Sequence, residues 1–190
     1  MIINSLTLKN FKSFDFLKIH FADYGTYIIK GSNASGKTNF LKALAFAFCI
    51  ELPYDYNNLI KNNENNAFVN IELKGSNNSK IKKYLTYSRS GNLISFIRPK
   101  NTDISQMFKT TDFFVILDAY EKSKEEILQE LSEDYKVYLL DNILTWFSKK
   151  ECETLLYPKF REMKAQKKTV FLTSTQRIDG FKNIELDKNE

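Results

Sequence analysis

The sequence predicts an α/β fold, a mainly parallel sheet flanked by helices, with an antiparallel β annex. Three observations lead there. The apolar run Thr26 to Lys30 enters a polar loop bounded by glycines, and from Lys37 the apolar residues fall at helical spacing. Downstream, short apolar runs alternate with charged amphipathic stretches, the pattern of parallel strands joined by crossover helices. Between these regions lie three strand-like runs separated by Gly, Ser and Asn turns, which marks an antiparallel meander. The chain has 190 residues, 43% hydrophobic and 14% aromatic, enough to bury a core. The expectation is one domain, residues 1–190, with the annex at about 67–97.

The elements follow in order. Ile2 to Leu8 alternates imperfectly between apolar and polar residues, and Asn10-Phe11-Lys12-Ser13 breaks the run. Phe16 to Phe21 reads as a second strand with Leu17, Ile19 and Phe21 on one face, and Asp23-Tyr24-Gly25 turns into the third, Thr26 to Lys30. Phe40, Leu41, Leu44, Ala45 and Phe48 define a helix from 37 to about 50. An Asn-rich loop over 53–66 precedes strands Ala67–Lys74, Ile81–Ser88 and Asn92–Ile97. Residues 101–112 fit no pattern. Phe113 to Leu117 is a short apolar run, Glu121 to Leu131 an amphipathic helix, and Lys136 to Leu140 a buried strand. A helix from Ser148 to about Ala165 and strands Thr169–Thr173 and Asn183–Leu186 complete the chain.

Composition excludes several classes. No run of about 18 apolar residues is present, which excludes a transmembrane helix. The stretch Met1 to Ser5 lacks the basic-then-apolar pattern of a secretory signal. The two cysteines, Cys49 and Cys152, have no metal-type spacing, so a reduced, cytoplasmic protein without membrane association is expected. There are 28 Lys+Arg against 23 Asp+Glu, a net +5 that permits an anionic partner without requiring one. His20 is the only histidine and reads as a strand-edge residue.

The chemistry concentrates in Gly31-Ser32-Asn33-Ala34-Ser35-Gly36-Lys37-Thr38, which satisfies G-x-x-x-x-G-K-[ST] without mismatch. A loop that wraps a polyphosphate needs successive backbone N–H groups turned inward, and glycines permit the turns and the close approach. The helix that follows aims its positive end at the same phosphates. Lys37 would neutralise charge on the terminal phosphates and Thr38 would ligate Mg²⁺. A strand before and a helix after the loop are the context a P-loop NTPase requires. Such a protein also needs a carboxylate at a neighbouring strand end, and Val137-Tyr-Leu-Leu-Asp141 supplies one. The next residue is Asn142, which can position a water but cannot take its proton.

Together these residues resemble the ATPase heads of the RecF and SMC group, within the ATP-binding-cassette class. The resemblance rests on Leu8-Lys-Asn-Phe-Lys-Ser-Phe14 paired with Gly31-Ser-Asn-Ala-Ser-Gly-Lys-Thr-Asn-Phe-Leu-Lys-Ala43. Tyr138 to Phe147 is similar to their second acidic motif and the loop after it, and Thr169 to Gln176 to their last core strand and switch. The resemblance implies that Lys12 and Ser13 approach the nucleotide and that residues 31–38, with Asn39 beside them, bind it. It also makes Gln106 a residue near Mg²⁺, Asp141 the metal carboxylate, and Lys37 and Asn142 the catalytic pair. No LSGGQ-like signature is present: Ser132 lies too near Asp141, and Ser123 has no glycine beside it. The aspartate that closes the second loop in the family is replaced by Phe147.

The implied function is that of an ATP- and Mg²⁺-binding, slowly hydrolysing ATPase. It would act as a nucleotide-gated assembly switch in DNA repair, maintenance or defence, pairing as a homodimer or with another head. A degenerate, non-hydrolysing head that serves as an interaction module for a partner ATPase or DNA-processing protein is the alternative. A small-molecule kinase is disfavoured, because such kinases usually reach their phosphate loop from the first strand.

Overall fold

The computed structural model describes residues 2–48, 59–74, 80–86, 112–117 and 122–186. In chain order its elements are β1 (Ile2–Phe11), β2 (Phe14–His20), β3 (Gly25–Lys30), α1 (Lys37–Ala47), β4 (Asn66–Lys74), β5 (Lys80–Thr86), β6 (Phe113–Ile116), α2 (Lys124–Glu130), β7 (Val137–Leu140), α3 (Lys149–Glu151), α4 (Tyr157–Ala165), β8 (Thr169–Ser174) and β9 (Lys182–Glu185). The chain divides into two units, one of Met1–Asp23 and Lys42–Phe108, the other of Tyr24–Leu41 and Lys109–Glu190.

The first unit holds an antiparallel sheet of order β2-β1-β4-β5. The annex is therefore wider than the meander expected from residues 67–97, because β1 and β2 join it. Leu6 faces Ile71 and Leu8 faces Val69 across the β1–β4 pair. The imperfect alternation of the first strand has a physical cause, a register shift between Ile3 and Ser5. The extra residue there keeps Ile3, Leu6 and Leu8 on one face, all buried, while Ser5 points to the other face and donates to Glu72 Oε2 at 3.2 Å. The strand runs on to Phe11, which is fully buried with its ring 6.2 Å from that of Phe46. His20 is exposed on the edge strand β2, as expected. The expected strand over residues 92–97 lies outside the described residues, as does Cys49.

The second unit holds a parallel sheet of order β6-β7-β8-β3-β9. All four residues of β7 and all six of β8 are buried, as in strands covered on both faces. On one face Tyr27 stacks on Phe171 at 5.6 Å between ring centroids, with Phe40 at 6.5 Å from the same ring. The core cluster includes Ile28, Tyr138, Leu140, Phe160 and Leu172.

Two helices depart from their expected form. The amphipathic run near 121–131 becomes α2, opened by a capping box in which Ser123 and Glu126 satisfy each other's backbone donors. The helix expected over 148–165 divides into α3, a π-helical stretch Cys152–Leu156, and α4. Pro158 explains the division. It has no N–H for the carbonyl four residues back, and a wider turn just before it absorbs the lost bond.

Candidate functional site

The sheet order of the second unit brings the site residues to one edge. β3 ends at Lys30 and β7 at Leu140, with β8 lying between them, so the segments leaving β3 and β7 start from the same end of the sheet. In open parallel sheets this carboxyl edge is where ligands bind.

The loop after β3 has the backbone that its sequence calls for. Ala34 and Gly36 take positive φ values of 64° and 95°, separated by Ser35. Alternation of right- and left-handed residues is the geometry that turns successive N–H groups into a concave nest. Gly31 is required for a different reason. A Cβ on it would lie 3.0 Å from Cβ of Ser35 and 3.2 Å from the carbonyl oxygen of Leu186. Ser32, Asn33 and Ala34 are exposed, while Ser35 and Gly36 are buried. The helix begins at once, with Phe40 N–H donating to Gly36 O at 2.8 Å. Asn39 sits half-buried in its first turn.

Lys37 bends back over the loop. Its ammonium donates to Gly31 O at 2.8 Å and to Ser32 O at 2.7 Å. Burial pushes its pKa below the ordinary lysine value, and the Asp141 carboxylate pulls in the opposite direction. Ser35 Oγ is buried with no hydrogen-bond partner in the structure.

Asp141 stands at the end of β7 and is only 9% exposed. Its backbone N–H is tied to Ile116 O of β6 at 2.9 Å. Thr38 Oγ1 donates to Asp141 Oδ2 at 2.7 Å, although 103 residues separate the two in the chain. Thr173 Oγ1, from β8, donates to the other oxygen, Oδ1. Asn142 follows in the left-handed region, φ 52° and ψ 59°, and its N–H donates to Thr173 Oγ1 at 2.6 Å. The structure thus brings Lys37, Thr38, Asp141 and Asn142 together, and it adds Thr173. Sequence reasoning included Thr173 in a strand without giving it a role. The available signal was a pair of hydroxyls, Thr173 and Ser174, directly after the apolar run Val170–Leu172.

Lys12 and Ser13 form the β1–β2 turn of the first unit, where Lys12 has φ 53° and its N–H donates to Leu59 O at 2.8 Å. Gln106 lies outside the described residues. Phe147 is buried in the core at 1% exposure, and Trp146 donates its indole N–H to Lys122 O at 2.9 Å. Ser123 caps α2, and Ser132 accepts from the Lys159 ammonium at 2.8 Å. Among the described residues no group of three or more His, Cys, Asp or Glu side chains is assembled, and no helix is long and apolar enough to cross a membrane.

Comparison with known proteins agrees with this fold. The family described as an AAA domain (AAA_23) matches residues 5–190. Over 75 residues the chain is 32% identical to the DNA replication and repair protein RecF of Tropheryma whipplei (strain TW08/27), a stretch that is 38% of this chain and 20% of that protein. The chain therefore spans about a fifth of the length of this relative. Among solved structures, the SMC head domain from Thermotoga maritima superposes with a TM-score of 0.60 at 17% identity, covering 92% of this chain and 89% of that one. An SMC head crystallised with the C-winged helix domain of ScpA gives 0.62 at 14% identity, covering 93% and 90%. At these identities the likeness is one of fold. The expected kinship with RecF/SMC-like P-loop ATPase heads, and the fold class that goes with it, are borne out.

Proposed function

The chain belongs to the AAA-domain family matched over residues 5–190, and from that premise we propose that it binds ATP with Mg²⁺ in the loop 31–38 and works as a nucleotide-gated assembly switch in DNA maintenance. The single observation that carries this reading is the bond from Thr38 to Asp141, which couples the end of the phosphate loop to the acidic strand.

The residues present fit a magnesium nucleotide. The orphaned Ser35 Oγ is a buried polar atom inside the loop, and such atoms ordinarily have partners. A side chain at Gly31 would collide with the Ser35 side chain and the Leu186 carbonyl, so the loop closes only around a glycine. Lys37 spends two of the three donors of its ammonium on loop carbonyls, which leaves one for a phosphate oxygen. Thr38 and Asp141 would hold the metal, in keeping with Mg²⁺ sites built from one or two carboxylates and substrate phosphates. When bound, the ion neutralises the charge of the phosphates. The chain's own share is to cradle them with backbone N–H groups, to set Lys37 against them, and to keep the Asp141 carboxylate oriented.

Asn142 sets the pace. Its amide can orient a water but has no capacity to accept the water's proton, so hydrolysis is slow and bound ATP persists as an assembly signal. Pairing with a second head, of the same or another chain, and engagement of DNA are part of this proposal, a reading the RecF and SMC likeness supports. The same residue favours one rival, a non-hydrolysing head that acts as an interaction module. Single-turnover hydrolysis separates the two. Slow release of phosphate above the buffer rate supports the switch, whereas tight ATP binding with no release supports the module. The common ground of both falls if Lys37→Ala leaves ATP affinity unchanged.

A further inference from the structure

We propose that Thr173 is the positioning residue of this site, the group that fixes the Asp141 carboxylate for a nucleotide-bound divalent metal and locks Asn142 into its left-handed backbone. This rests on the nucleotide-binding reading and deepens it, because no role has been given to Thr173 so far.

Hydrogen-bond bookkeeping determines the direction of each contact. A backbone N–H can only donate, so Thr173 Oγ1 accepts from Asn142 N at 2.6 Å. An ionised carboxylate can only accept, so the one hydroxyl proton of Thr173 goes to Asp141 Oδ1. Thr38 gives its proton to Oδ2. Each carboxylate oxygen is thereby held by a threonine hydroxyl, one from α1 and one from β8, and rotation of the carboxylate is blocked from both sides. Thr173 is fully buried, so no water competes for either bond. Its neighbour Ser174 is occupied differently, accepting from Gln176 N–H and donating to Gln176 O.

An ionised carboxylate offers about four lone-pair positions, and the threonines use two. The remainder are free for a metal or its water shell, in an orientation already set. Left-handed backbone is tolerated by asparagine at modest cost, and the Asn142 N–H bond to Thr173 supplies a specific reason for it here. One side chain thus sets both the metal carboxylate and the residue at the water-positioning place.

The test is titration of the full chain with a fluorescent ATP analogue, in Mg²⁺ and in EDTA, for wild type, Thr173→Val and Thr173→Ser. A parallel titration with Mn²⁺, read by electron paramagnetic resonance in the presence of nucleotide, reports the metal directly. Valine keeps the shape but neither hydrogen bond. The expected result is a Mg²⁺-dependent gain in nucleotide affinity that falls by about 10–100-fold in Thr173→Val, as loss of such outer partners usually produces. Affinity in EDTA should stay within about twofold of wild type, and Thr173→Ser should retain the gain, since its hydroxyl keeps both bonds. If the valine variant does not fold, Thr173→Cys, close in size and a poor donor, takes its place in the same comparison. An unchanged Mg²⁺ dependence in the variant, or an equal loss of affinity with and without metal, overturns the assignment. Wild-type chain that binds no nucleotide in either condition overturns the earlier reading and this one together, so the two failures are distinguishable.

Discussion

Lys37 and Asn142 show what single residues contribute at this site. The Lys37 ammonium is desolvated enough to lower its pKa, yet two loop carbonyls and the charge of Asp141 keep it useful as a cation. Hydrogen bonds to charged groups contribute about 1.5–3 kcal/mol, so Lys37→Ala should weaken ATP binding by roughly 10- to 150-fold. Equilibrium titration of the variant measures that loss, and a circular-dichroism melt should show the fold intact. Asn142 makes a different demand, because it combines a left-handed backbone with the place directly after Asp141 where a water-positioning role is proposed. Left-handed geometry costs a residue with an ordinary side chain about 1–2 kcal/mol. Asn142→Glu is therefore expected to melt below wild type while Asn142→Gly does not. Turnover of the glutamate variant, corrected for folded fraction, is expected to exceed that of wild type if the proposed lack of a proton acceptor limits hydrolysis.

At the scale of elements, legibility followed the range of the interaction. The strand, loop and helix from Gly25 to Ala47 were readable because their signals are local: apolar run, glycines, helical spacing. The end of β7 at Asp141 was readable for the same reason. The partnership of β1 with β4 was not, since pairing across about sixty residues leaves no mark in either strand alone. Thr173 was missed on similar grounds, because a threonine in a strand looks the same whether it packs or clasps a carboxylate. The helix division at Pro158 was latent in the sequence but needed the compensating wide turn to be seen. Two predictions belong to this scale. Phe171, fully buried in β8 and in ring contact with Tyr27 and Phe40, should cost about 3–5 kcal/mol when truncated to alanine, measured by urea unfolding. Glu151, which caps α3 and pairs with Lys124, has its pKa lowered to about 2, first by that lysine and then by Ser148. A depressed carboxyl stabilises the fold above its unfolded value, near 4.3, and loses that contribution as pH falls to about 2. Wild type should thus melt above Glu151→Gln at pH 6, and the gap should close between about pH 4.5 and 2.

For the molecule as a whole, a nucleotide that binds only the folded chain must raise its melting temperature, and an assembly switch must do more than that. Ligand at about a hundred times its dissociation constant stabilises by about 2.7 kcal/mol. For a chain of this size each kcal/mol moves the midpoint by about 2–4 °C, so saturating Mg-ATP should shift it by roughly 5–11 °C. Binding alone gives a shift that is independent of protein concentration at fixed free ligand. Coupled pairing of heads adds a term that grows with protein concentration, because the associated state is then also favoured by mass action. Melts across a hundredfold range of protein, with and without Mg-ATP, therefore separate ligand binding from gated assembly in one experiment. The expected outcome is a concentration-dependent midpoint with Mg-ATP and a concentration-independent one without it, both effects vanishing in Lys37→Ala. A shift of the stated size that ignores protein concentration would keep the nucleotide site and remove the switch. Sedimentation of the same samples supplies the mass that decides between a pair and a larger assembly.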